Sequence, residues 1–371
     1  IGAGASGIAC AIKIKQNNPK AKVTVLEHLD EPCKKIYATG NGRCNMTNIS
    51  ADGYNITKEF FTSLGLLTRV DSAGRVYPYS NQASTVVDIL LSACNKYGIK
   101  IVTSCNIRRV EKIGYTFNVF SDKGVYSSDI LVLATGGKSQ TALGSDGSGY
   151  QLAQAFGHTI SELSPALVQL NSSSKHCRAL KGLRTKCNVK IEINGNIVDE
   201  EYGELLFTDY GLSGIVIMDL SKNISDNRIE NNQDKCIAII DFVPDMTADE
   251  LLNHIKQFGS LKGILPAKLC EILSQQAKGS DELIARYAKS WRLIITGTKG
   301  YNHAQITNGG VNKKEIKSNN ESALTENLYL IGELTDNQFK CGGFNLDYAF
   351  SSGITTANDI TNKARIIDYY D

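Results

Sequence analysis

Ile1-Gly2-Ala3-Gly4-Ala5-Ser6-Gly7 opens an apolar-periodic run that continues to about Gln16, where Asn17-Asn18-Pro19 interrupts it. The run reads as a helix preceded by a glycine turn. Lys22-Val23-Thr24-Val25-Leu26 follows as a β-branched strand, and Glu27 ends it twenty residues after Gly7. Gly2, Gly4 and Gly7 have the G-x-G-x-x-G spacing of a dinucleotide turn. In that turn the first glycine permits the tight bend, the second lets backbone approach a pyrophosphate, and the third lets the helix pack on the strand. The helix N-terminus offers free N–H groups and positive potential to the phosphates. Glu27 is placed to accept hydrogen bonds from adenosine ribose hydroxyls, and its charge disfavours a 2′-phosphate. A glycine-rich turn of no function is the plain alternative, and the acid at this distance argues against it. The stretch predicts an α/β fold of the Rossmann type, holding FAD or NAD.

The choice between the two rests on later residues. A simple NAD enzyme needs nothing unusual after Glu27. Here Lys34-Lys35 and then Thr39-Gly40-Asn41-Gly42-Arg43-Cys44-Asn45-Met46-Thr47-Asn48 place basic and small residues soon after the ribose-binding acid. They suit a ligand that continues past the pyrophosphate, although a solvated surface pair is the plain reading of Lys34-Lys35. Much later, Gly332-Glu333 follows an apolar strand over 327–331, and Cys341-Gly342-Gly343-Phe344-Asn345 precedes a helix. A second helix N-terminus there suits a flavin's pyrimidine edge and the negative charge of the reduced ring. Motifs at both chain ends mean that the middle is inserted, which favours FAD over NAD. No flavin-attachment motif is visible, so the FAD is expected to be non-covalent. There is no second G-x-G-x-x-G, so NAD(P)H, as a candidate reductant, is expected to dock transiently at the ring face.

Between the two ends the texture changes near Pro165. Helical periodicity over 85–97 and strand-like runs over 99–104, 117–120, 125–127 and 129–134 precede it. Short alternating runs over 189–193, 204–207 and 237–242 then suit antiparallel strands of a small barrel or sandwich. Residues 247–292 carry leucines and isoleucines at helical spacing, and 346–359 reads as a closing helix. The expected organisation is a FAD-binding domain over 1–165 and 322–371, an inserted antiparallel β-barrel domain over 166–243 and 293–321, and a helical insert over 244–292. The inserts are expected to cover the flavin's reactive face.

Composition narrows the classes. The chain has 371 residues, 42% hydrophobic and 21% charged, which is ordinary for a globular protein. A net charge of +2 makes no case for nucleic acid as a partner. No apolar run reaches the roughly 18 residues of a membrane span. The ten Cys form no C-x-x-C pair and the five His show no ligand spacing, so no metal site is expected. Scattered single thiols and no visible signal peptide fit a reducing cytoplasm.

Several stretches together resemble one family. They are Lys34 to Asn48, Leu133-Ala134-Thr135-Gly136-Gly137-Lys138-Ser139, Gly332-Glu333-Leu334-Thr335-Asp336, and Cys341-Gly342-Gly343-Phe344-Asn345-Leu346. Gly74-Arg75-Val76-Tyr77-Pro78, Gly203-Glu204-Leu205-Leu206-Phe207-Thr208 and Ala304-Gln305-Ile306-Thr307-Asn308-Gly309-Gly310-Val311 add to them. The pattern is similar to that of bacterial NAD(P)/FAD-dependent, aminoacetone-oxidase-like oxidoreductases, which include the flavoprotein reductase of the bile-acid dehydroxylation pathway. The resemblance covers essentially the whole chain. It implies a split FAD-binding domain with an inserted β-barrel and a small helical domain. Carried over by motif, it implies FAD contacts from Ser6, Gly7, Glu27, Lys34, Lys35, Asn41, Arg43, Asn45, Thr47, Glu333, Gly343, Asn345 and Leu346, and from the backbone of Ile107. The segment between Asn48 and Phe60 is shorter here than the family's.

The expected chemistry is hydride transfer between flavin N5 and a small organic substrate. The resemblance suggests a conjugated enone of a ring compound. An amine or aminoketone oxidase that uses O₂, or a flavin-binding redox sensor without turnover, are the alternatives. No catalytic acid or base is identifiable. Cys44 and Cys341 are either a redox pair or small residues packed near the ring. Arg43 has three readings: cofactor phosphate, substrate carbonyl or a structural carboxylate. His28, His158, His176, His254 and His303 are expected in surface or packing roles. The oligomeric state is not readable.

Overall fold

Helix Ala5–Asn17 lies against the long C-terminal helix Phe344–Tyr370, joining the two ends of the chain. A computed structural model describes residues 1–370, with side chains through Lys363. The chain forms two units, Ile1–Leu163 with Ile306–Asp371, and Ser164–Gln305.

In the first unit, strand Thr24–Leu26 pairs in parallel with Lys100–Val102, and Leu131–Leu133 pairs in parallel with Leu328–Leu330. Residues 1–3 run between the pairs. The Gly2 amide donates to Leu26 O at 2.8 Å, and the Ala134 amide donates to Ile1 O at 2.8 Å. Leu131, Leu133, Leu328, Tyr329 and Leu330 are all buried, as a sheet covered on both faces requires. Helix Ala83–Lys96 buries Val86, Val87 and Leu90 on one face, matching the periodicity. Two small antiparallel sheets complete the unit. One contains Ile107–Ile113, Thr116–Ser121 and Gly124–Ser128; the other contains Thr47–Asn48, Arg75–Pro78 and Thr68–Val70. After Asn48 a short turn leads directly into helix Tyr54–Ser63.

The second unit contains a closed barrel of six strands: Leu170–Ser172, Gly211–Ser213, Asn196–Phe207, Arg184–Ile193, Cys236–Asp241 and Trp291–Thr298. Every neighbouring pair is antiparallel. Trp291 is buried in its core, 6.0 Å from Phe207 and 5.6 Å from Phe242 between ring centroids.

Two expected boundaries differ from the structure. Helices Ala248–Phe258, Ala267–Gln276 and Asp281–Lys289 were expected as a separate insert over 244–292. Instead Leu251, Ile255, Leu269, Leu273 and Ala285 share one core with the barrel's Val189, Ile191, Leu205 and Phe207. Each helix has one apolar stripe that must be covered, and the barrel core covers it. Residues 306–321, expected with the barrel, belong to the first unit. There the Val311 amide donates to Leu334 O at 2.9 Å and the Thr307 amide donates to Glu333 at 2.9 Å.

Candidate FAD site

The glycine turn has the geometry that its spacing demands. Gly2 has φ +100°, and a Cβ there would stand 2.3 Å from Ala134 O. A Cβ on Gly7 would stand 2.1 Å from Gly2 O. Either substitution separates turn, helix and strand. Gly4 is the opposite case, with no atom within 4 Å of its Cβ position, so the turn is open on that side. Helix Ala5–Asn17 starts beside this opening without a side-chain cap, which leaves its first N–H groups for an anion. Ser6 is buried, with its hydroxyl close against Gly332.

Glu27 is 8% exposed. Its Oε2 accepts from the Ala3 amide at 2.7 Å and its Oε1 from the Leu29 amide at 2.9 Å. Oε1 also lies 3.3 Å from His28 Nδ1, while Oε2 keeps a lone pair for a further donor. The acid is therefore held rigidly beside the turn and still has acceptor capacity.

Lys35 and Glu333 come together. Lys35 Nζ lies 2.7 Å from Glu333 Oε2, while Glu333 Oε1 accepts from the Thr307 amide. The Thr307 hydroxyl accepts from the Lys138 amide at 2.7 Å and lies 3.0 Å from Ser139 Oγ. Thr307 thus ties the 135–139 loop to the Gly332-Glu333 turn. The sequence places Thr307 within a motif but assigns it no role, because nothing local marks a threonine as a junction. Lys34, the adjacent residue, turns instead to Asp30 at the surface.

A second cluster forms where the C-terminal helix begins. Gly343 has φ +101°, and a Cβ there would stand 2.6 Å from Thr47 O and 2.7 Å from Asn45 Oδ1. Asn45 Oδ1 is buried and has no hydrogen-bond partner. Asn345 uses its amide on the loop before the helix, accepting from the Phe339 amide at 3.0 Å and donating to Phe339 O at 2.8 Å. Thr47 is buried and Leu346 packs on the core beside helix Ala5–Asn17. Asp347, absent from the expected site, is 3% exposed in the helix's first turn. The Tyr348 hydroxyl accepts from Asn337 Nδ2 at 2.9 Å and lies 3.1 Å from Thr335 Oγ1.

The remaining expected residues lie elsewhere. Asn41 is exposed with φ 57°, and Arg43 is exposed with its guanidinium 4.9 Å from the centre of the Tyr77 ring. Ile107 begins a strand and packs with the cluster of Leu26, Leu131 and Leu133. Cys44 is fully buried, and burial pushes its thiol up to about 12, so it stays protonated and packs as a small apolar residue.

An open turn, an uncapped helix, a buried acid with spare acceptor capacity and an orphaned acceptor at a second helix start fit an extended dinucleotide. Comparison with known proteins agrees. A family profile described as "HI0933-like protein Rossmann domain" matches residues 53–359. The chain belongs to the HI0933-like family. This is a family of FAD-binding Rossmann flavoproteins of the oxidoreductase class. A 3-dehydro-bile acid delta(4,6)-reductase from Clostridium scindens is 35% identical, over 95% of this chain and 96% of its own length. A ribosomal RNA dihydrouridine synthase from Haemophilus influenzae is 28% identical over 98% of each. Among solved structures, 3-ketosteroid delta1-dehydrogenase from Sterolibacterium denitrificans shares the fold of this HI0933-like chain. It has a TM-score of 0.52, 11% identity and 98% coverage of both chains. Among the described residues no helix is long and apolar enough to cross a membrane.

Proposed function

We propose that this flavoprotein reduces a carbon–carbon double bond conjugated to a carbonyl in a small organic substrate, with NAD(P)H as electron donor. The observation that carries the reading is the 35% identity, over nearly the full length, to a reductase of a bile-acid delta(4,6) system. Non-covalent FAD, when bound, supplies the hydride. The chain's residues supply its place and its field. The first-turn amides of helix Ala5–Asn17 take the pyrophosphate, and Glu27 accepts the ribose hydroxyls. Lys35, Glu333 and Ser6 flank the adjoining part of the cofactor. Asn45, Thr47, Gly343, Asn345 and Leu346 hold the ring end, where the helix start favours negative charge. Arg43, braced on Tyr77, faces ligand from the exposed loop. The first reading places the enzyme in the cytoplasm with neither nucleic acid nor membrane as partner.

A second reading has one specific support. A relative matched over 98% of both chains is a ribosomal RNA dihydrouridine synthase. Dihydrouridine is uridine saturated at a ring double bond conjugated to a carbonyl, so the hydride acceptor is chemically alike. One experiment separates the readings. The FAD-loaded chain is reduced anaerobically with NADH or NADPH, then mixed with a steroid enone or with ribosomal RNA. Flavin reoxidation with gain of two hydrogens in the steroid supports the first reading. The same gain in a uracil ring, with no reaction of the enone, supports the second. A flavin that neither nicotinamide reduces overturns the donor assignment.

A further inference from the structure

We propose that Asp347 takes up a proton when the flavin beside it is reduced, so that this carboxyl is the proton partner of electron transfer. The proposal rests on the FAD reading above and deepens it. Asp347 lies four residues after Gly343, about 6 Å along the helix axis. Its amide donates to Gly343 O at 2.9 Å. Its Oδ2 accepts from the Gly53 amide at 3.1 Å, while its buried Oδ1 has no hydrogen-bond partner. The side chain thus spans from the ring-end helix start to the loop that follows Thr47-Asn48.

The surroundings hold no countercharge. Thr47 faces the carboxyl from the strand, Thr57 from helix Tyr54–Ser63, and the Gly53 amide and the Asp52 carboxylate from the loop. Ser351 is near on its own helix, against the same Gly53. Tyr348 spends its hydroxyl on Thr335 and Asn337, and Glu333 is held by Lys35. Among the described residues no basic side chain pairs with Asp347. An acid in a helix's first turn is normally favoured as the anion. Here burial, aided by the negative Asp52, holds the carboxyl above its ordinary range against the two hydroxyls and the Gly53 amide.

Negative charge on the reduced ring and on Asp347 would compete for one helix start. A hydride brings two electrons and one proton to the ring, which leaves it negative. The second proton passes from water to the Asp347 carboxylate and relieves the repulsion. When the hydride leaves for the acceptor, that proton returns to water. Two electrons then carry two protons wherever Asp347 is free to titrate, and one where it is not.

The test is an anaerobic redox titration of the FAD-loaded full chain from pH 5.5 to 8.5, read as protons taken up per electron pair. The wild type is expected to take two protons in the pH window where Asp347 is ionised beside the oxidised ring and protonated beside the reduced one, and to pass to one above that window. Asp347→Asn is expected to take one throughout. Redox-difference infrared spectra of the wild type should show a protonated-carboxyl carbonyl band on reduction, absent in Asp347→Asn. If that variant does not fold, Thr57→Val keeps the acid and removes a nearby hydroxyl that favours the carboxylate, so the two-to-one transition moves to higher pH. An unchanged proton count in Asp347→Asn, an unmoved transition in Thr57→Val, or a missing band in the wild type overturns the proposal. A chain that takes up no flavin instead overturns the FAD reading, a result seen before any titration.

Discussion

Lys35 Nζ lies 2.7 Å from Glu333 Oε2, although the two residues are 298 positions apart. The pair joins helix Lys34–Ala38 to the turn after strand Leu328–Leu330. Both side chains are roughly a quarter exposed, so solvent weakens their attraction. Lys35→Ala is expected to cost about 1 kcal/mol in apoprotein stability. Glu333→Gln keeps an acceptor for the Thr307 amide and should cost no more. Both should weaken FAD binding further if the proposed cofactor site is right, since each removes a group placed beside it. Denaturant titration and flavin fluorescence, with and without FAD, measure the two effects separately.

Glu27→Ala removes the acceptor of two backbone amides as well as the proposed ribose partner. The amides of Ala3 and Leu29 lose charge-assisted bonds of about 1.5–3 kcal/mol each, part of which water replaces. The dissociation constant for FAD should rise at least about tenfold. Fluorescence titration checks it, and an unchanged constant would show that Glu27 does not touch the ribose.

His158 is buried between Glu315 and Ser322, with Nδ1 3.2 Å from Glu315 Oε2 and Nε2 2.8 Å from Ser322 Oγ. Ser322 is itself buried and accepts from the amides of Leu324 and Thr325, so this trio braces the unit and does not present a nucleophile. Burial holds the imidazole below its ordinary range despite Glu315. The unfolded chain therefore binds this proton first, and stability falls as pH drops below about 6.5. Glu315, held below its ordinary range chiefly by Thr159, adds loss in the same direction at lower pH. Urea midpoints should be lower at pH 5.5 than at 7.5, and the gap should narrow in His158→Gln.

Glu321 accepts from the Asn327 amide at 3.0 Å and pairs with Lys317 and Lys363, each at 2.9 Å. Despite opposing burial, these contacts bring its carboxyl down to about 2. The stabilisation is present above the ordinary carboxylate range and is lost as pH falls toward about 2. Discounted for half-exposed lysines, it amounts to ~2 kcal/mol. Glu321→Gln should lose about that much at pH 7 and far less at pH 3. Equal losses at both would mean that the ion pairs contribute nothing.

Local chemistry made one part of this protein readable. Gly2, Gly4, Gly7 and Glu27 lie within one turn–helix–strand unit, where backbone geometry allows few residues and contacts follow from spacing. The alternation over 189–193, within strand Arg184–Ile193, likewise marks a half-buried sheet, because successive side chains face opposite sides. Only the folded chain shows which distant group meets which face. Lys34 and Lys35 are adjacent and chemically alike, yet about 100° apart around a helix, so one reaches Glu333 and the other Asp30. The stripes on helices Ala248–Phe258 and Asp281–Lys289 are legible as apolar, but an apolar stripe does not name its cover, and the barrel core supplied it. Asp347 looks like any helix-start acid in the sequence. Its burial and lack of a countercharge come from Thr47, Gly53 and Thr57, which the fold brings from about 300 residues away.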